Sequence, residues 1–154
     1  MSPNTEKTAQ LRRTPNRAGA ARLRRASLAV LALIVVEYGF GMYVNLYVTV
    51  PRADHGGGLS SAVANGPAAL SIHAVIGLLL GLGAIGVLVQ AALVRRAVVI
   101  ASSAIGLFAL AIASAAGTSF TSSGTTADSL AMSVLTGVAL LCYAANLYLL
   151  PVAA

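Results

Sequence analysis

The chain has 154 residues, 58% of them hydrophobic and only 9% charged, with a formal net charge of +6. Soluble domains run at roughly 45–50% apolar and about 25% charged, so a water-soluble enzyme, a secreted disulfide domain and a disordered chain are excluded as whole-chain readings. With a mean hydropathy of +0.86, the composition points to a polytopic membrane protein.

Residues 1–26 are polar and basic and contain Pro3 and Pro15. Too little apolar surface is available there to offset the entropy of ordering, so the segment reads as a mobile tail. Seven of the ten bases lie in it: Lys7, Arg12, Arg13, Arg17, Arg22, Arg24 and Arg25. A pI near 10.3 would suit a nucleic-acid binder if the bases were spread over a face. Their position just before an apolar run is that of a cytoplasmic membrane flank, so no nucleic acid is expected. Arg24-Arg25-Ala26-Ser27-Leu28 faintly resembles a twin-arginine export signal. However, the apolar run that follows is too long, and no small-x-small cleavage site ends it.

Four apolar segments follow, at about 27–50, 68–94, 97–117 and 127–150. Pro51 closes the first and Pro151 the last. About 20 helical residues cross a 30 Å hydrocarbon layer, so each is long enough. They lack the period-two alternation of strands, and lipid requires every backbone N–H to be satisfied within the segment or a closed barrel. The expected fold is an all-α integral membrane four-helix bundle, up-down-up-down.

The connections set the orientation. The second is Arg95-Arg96 alone, a tight antiparallel hairpin. The first, about 51–67, holds one base, Arg52, beside Asp54, and the third, about 118–126, is Ser/Thr/Gly-rich with none. The positive-inside rule then places both termini in the cytoplasm, in the cell membrane, with the two longer loops outside.

Inside lipid, close packing of small residues holds helices together. The second segment carries Gly77 and Gly81 in G-x-x-x-G spacing, and the third carries Ser102, Gly106, Ala109 and Ala113 along one face. These two stripes are expected to meet, and enlarging Gly81 is expected to push the helices apart. Cys142, the lone cysteine, forms no intrachain disulfide and reads as a packed thiol.

Glu37 is the only acid away from the ends of a span. A charge at that depth is costly, so it is expected to face the bundle interior and is a functional candidate. Glu37, Gly41, Asn45 and Thr49 recur every fourth residue, and Tyr38, Tyr43 and Tyr47 add hydroxyls. Tyr143, and nearer the cytoplasm Asn146, are the expected partners on the fourth helix. The polar network is therefore Glu37, Asn45 and Tyr143. It reads as an interhelical hydrogen bond, a proton path, or a carboxyl reaching toward the interface.

His73 is the only histidine inside a span, and Gly77 and Gly81 continue its stripe. Neutral imidazole ligates haem iron. Met132 lies at similar depth on the fourth segment, so His73 and Met132 are the candidate haem ligands. The alternative is an interfacial histidine bonded to Ser71, a loop carbonyl or water. His55, among Gly56, Gly57 and Gly58, has little to fix it as a second ligand. Two histidines without clustered cysteines or acids make no zinc site.

The run from Glu37 through Tyr38, Gly39, Phe40, Gly41, Met42, Tyr43 and Asn45 to Pro51, then Ser71-Ile72-His73 with Gly77, resembles one four-helix half of a haem A synthase. It also resembles small four-span proteins of high-GC bacteria. The likeness covers the layout of about residues 28–150. It implies a four-helix bundle and, through His73, haem contact at the outer side. In the synthase halves a second histidine opens the fourth helix, where this chain has Met132-Ser133. The glutamate and arginine flanking the histidine of the catalytic half are here Leu70 and Ala74. No phosphate-cradling glycine loop or assembled nucleophile appears. The reading is a non-enzymatic accessory or scaffold subunit. Its partners are membrane lipid and a larger membrane complex or a second copy. The alternatives are a haem-binding protein and a proton-coupled carrier using Glu37.

Overall fold

A computed structural model describes residues 3–48, 60, 64 and 66–150. It is all helical: α1 is Pro3–Tyr47, α2 Ala68–Val94, α3 Ala97–Ser123 and α4 Thr126–Leu149. Each contains a segment long and apolar enough to cross a bilayer, beginning at Ala18 in α1.

Two boundaries differ from expectation. Helix begins at Pro3, inside the expected tail. Proline suits a first turn, where its missing N–H has no partner anyway, and good helix formers (Lys7, Ala9, Gln10, Leu11, Arg12, Arg13) follow it. Ala20 and Leu23, within that same stretch, are buried. The Ser/Thr-rich segment after residue 117 is also helical, as far as Ser123. Its hydroxyls bond back one turn: Thr118 donates to Ala115 O, Thr121 to Thr118 O and Ser122 to Ser119 O. Such back-bonding satisfies the hydroxyls without leaving the helix. Gly124, at φ 64°, then ends it, with its N–H on Phe120 O.

Thr125 caps α4: its hydroxyl accepts from the Asp128 N–H and donates to Asp128 Oδ2 at 2.7 Å. The reciprocal bonds satisfy a free N–H of the first turn. Asp128 also accepts from Ser119, which ties α3 to α4 at this end. At the other end α2 stops on Arg95 at φ 58°, whose N–H reaches Ala91 O and Ala92 O. The chain re-enters helix at Ala97.

The helices form a closed ring. α1 packs on α2, α2 on α3, α3 on α4 and α4 back on α1, while among the described residues neither diagonal pair comes into close backbone approach. Leu23, Ile34, Ala84, Val87, Val99, Ala139 and Tyr143 form the core. Val44 and Leu70 make a smaller cluster toward the α1–α2 connection. Outward, Leu78, Leu82, Phe108 and Leu141 are each more than half exposed. An apolar coat on all four helices is what hydrocarbon requires and water does not tolerate.

Candidate functional site

α1 and α2 bring together the carboxyl and the imidazole singled out in the sequence, Glu37 and His73. Glu37 Oε1 lies 2.9 Å from His73 Nδ1. The glutamate side chain is 10% exposed and the imidazole 30%, so the pair sits at the edge of the interior. The two atoms are within ion-pair distance, but Nδ1 has no hydrogen-bond partner among the described residues. Glu37 Oε2 is buried and also without a partner.

Two glycines make room for the pair. A Cβ on Gly77 would stand 3.1 Å from Glu37 Oε1, and one on Gly41 would stand 3.1 Å from His73 Cε1. Each helix thus offers a glycine to the other helix's ionisable side chain. Gly77 lies four residues after His73 and Gly41 four after Glu37, one turn apart on one face.

Several candidates are placed differently from expectation. Glu37 meets His73 on α2, not Tyr143 or Asn146 on α4. Tyr143 is fully buried against Gly106, with its hydroxyl unpartnered. Asn146 Nδ2 instead donates to Ser103 Oγ at 3.0 Å, joining α4 to α3. Asn45 is exposed and outside the network. One residue turns a helix by about 100°, and the fourfold repeat drifts off the seam within two turns. Thr49 and His55 lie outside the described residues.

The two small-residue stripes do not seat α2 on α3 as expected. Gly77 faces Glu37 of α1, and a Cβ on Gly83 would meet Val30 of α1. Gly106 faces Tyr143 and Cys142 of α4. A Cβ on Gly81 would meet nothing within 4 Å. Ser102 also turns to α4, its hydroxyl donating to Cys142 O at 2.9 Å. Gly77 thus packs toward α1, and Ser102 and Gly106 toward α4.

The candidate haem ligands are not assembled as a pair. His73 turns its ring to α1, whereas Met132 sulfur packs against Gly117 of α3. α2 and α4 occupy opposite corners of the ring. Among the described residues, no group of three or more His, Cys, Asp or Glu side chains gathers to hold a metal ion.

A third polar feature was not anticipated from the sequence. Arg96 donates to Leu149 O at 2.9 Å, and Arg24 reaches Leu150 O at a longer 3.5 Å. These carbonyls, of the last residue of α4 and of its C-cap, have no helical partner, and the helix dipole favours cations there. The clustering of bases at one end was visible in the sequence, but their targets were not.

Comparison of the chain with protein-family models, with curated proteins and with solved structures finds no match. What the fold and the interior define is a class: a four-helix bundle built for four membrane crossings, with a carboxyl–imidazole pair on one seam.

Proposed function

We propose that this chain is a non-enzymatic membrane bundle serving as an accessory or scaffold subunit. We place it in the cell membrane with both termini cytoplasmic. One observation carries the reading: the polar contacts between helices are spent on holding the bundle together. Glu37 with His73 joins α1 to α2, Ser102 and Ser103 join α3 to α4, and Arg24 and Arg96 tie α1 and the α2–α3 turn to the end of α4. The outward faces are left to apolar contact with lipid, a larger complex or a second copy. Extraction in mild detergent, with chemical crosslinking before lysis, tests this. A defined larger assembly supports the role, and a solitary monomer under both conditions removes it. Cysteine labelling of introduced sites at residues 5 and 56 tests the orientation, which requires protection of the first and access to the second from outside.

A second reading rests on the buried, unpartnered Glu37 Oε2 beside a part-exposed imidazole. A carboxyl and an imidazole in contact can exchange one proton with no change in the net charge of the pair, which suits a proton-coupled carrier. In liposomes with an imposed proton gradient, Glu37→Gln would then abolish flux with folding intact. Wild-type protein that passes no protons ends this reading.

A further inference from the structure

We propose that the arginine end of the α1–α2 seam is a seat for the headgroup phosphate of an anionic phospholipid, held by Arg22, Arg25 and Arg95. The seam is located by Gly19, where a Cβ would stand 3.5 Å from Val94 Cγ2. Arg22 is one turn along α1 from Gly19, and Arg25 one turn further. Arg95 directly follows Val94. All three are exposed, and none of their side chains makes a hydrogen bond or ion pair among the described residues.

The neighbouring arginines divide their work. Arg24 and Arg96 are turned to the end of α4, while Arg95 has no inward task. It nevertheless occupies the left-handed position at φ 58° that ends α2. Glycine is the usual residue there, because a Cβ is disfavoured in that conformation. Nothing within the bundle repays this placement of an arginine, whereas an anion outside it would. The two acids with described side chains are remote. Glu37 is about 18 Å further along α1 from Arg25 by helix rise, and Asp128 opens α4 at the opposite end.

The source of the phosphate follows from what surrounds the cations. Leu93 is 77% exposed two residues before Arg95, and Val89 continues that face one turn below. Leu28 is exposed one turn beyond Arg25. Exposed apolar side chains beside the arginines on both helices fit acyl chains next to a headgroup, not a free anion. Guanidinium forks match phosphate oxygens two at a time.

The test uses the full chain, purified, delipidated in neutral detergent and titrated with phosphatidylglycerol or phosphatidylcholine, read by native mass spectrometry. Phosphatidylglycerol is expected to be retained in preference. Arg22→Gln with Arg95→Gln should weaken its apparent affinity roughly 25-fold, at about fivefold per base, and Arg25→Gln alone about fivefold. The same charge loss at Arg12→Gln with Arg13→Gln should cost less than about threefold, because those residues are remote from the seam. Equal losses in the two double variants, or equal retention of phosphatidylcholine, overturn the proposal. So does competition by soluble glycerol phosphate at the concentration of the lipid. Should the seam double variant fail to fold, Arg25→Gln decides alone, and an unchanged affinity there overturns the seat.

Discussion

Glu37 Oε1 and His73 Nδ1 approach to 2.9 Å across the α1–α2 seam, and each is faced by a glycine of the other's helix. An acid deep in a span needs a partner, and the nearest chemically suited one is the imidazole on the adjacent helix. The arrangement explains why Gly41 and Gly77 stand where they do: a methyl at either would crowd the ring or the carboxyl.

The pair should be energetically coupled. In a double-mutant cycle with Glu37→Gln and His73→Gln, the interaction energy is expected near 1 kcal/mol, the scale of interhelical polar contacts in membranes. Reversible unfolding in mixed micelles measures it. A coupling near zero would leave the 2.9 Å approach a contact of no consequence.

Glycine substitutions should separate by seam. A Cβ at Gly106 would come within 2.9 Å of Tyr143 Cε2 and 3.2 Å of Cys142 Cβ. Because Tyr143 is fully buried, α3 and α4 must move apart, at a cost of about 1–3 kcal/mol. Gly81→Ala meets open space and should be neutral, or stabilising by up to about 1 kcal/mol through helix propensity. Thermal unfolding of both variants checks the order, which reverses the expectation that Gly81 is the sensitive position.

The end of α4 should fray without its arginine. Arg96→Ala removes the donor to Leu149 O, a loss of about 1 kcal/mol. Hydrogen exchange at the Leu150 amide, which bonds to Asn146 O, is expected to quicken about fivefold. Amides in the middle of α4 should not change.

Arg95→Gly should act in two directions. In zwitterionic micelles it relieves the left-handed backbone at φ 58°, and stability should rise by about 1 kcal/mol. In bilayers rich in anionic lipid the gain should shrink or reverse, because the cation is lost. The same unfolding assay in the two media reads both effects, and an identical gain in each would argue that Arg95 meets no anion.

Much of the fold was legible in the residues. The span at 68–94 coincides with α2, and the two-residue hairpin lies at Arg95-Arg96. The Ser/Thr run after residue 117 misled, since hydroxyls that look like loop chemistry can also bond back along a helix. Glu37 and His73 were each visible as isolated polar groups in apolar runs, but their pairing was not.

The division has a simple cause. Counting residues gives depth along a helix, at about 1.5 Å each, and composition shows that the surroundings are hydrocarbon. The sequence alone therefore determined the class, the four long apolar helices and the position of each polar group along its helix. Which neighbour a side chain meets depends on the rotation of its helix about its own axis, and that rotation is set jointly by all the side chains packed at the seams. Only the tertiary structure could turn Glu37 to His73, Gly106 to Tyr143 and Arg96 to the end of α4.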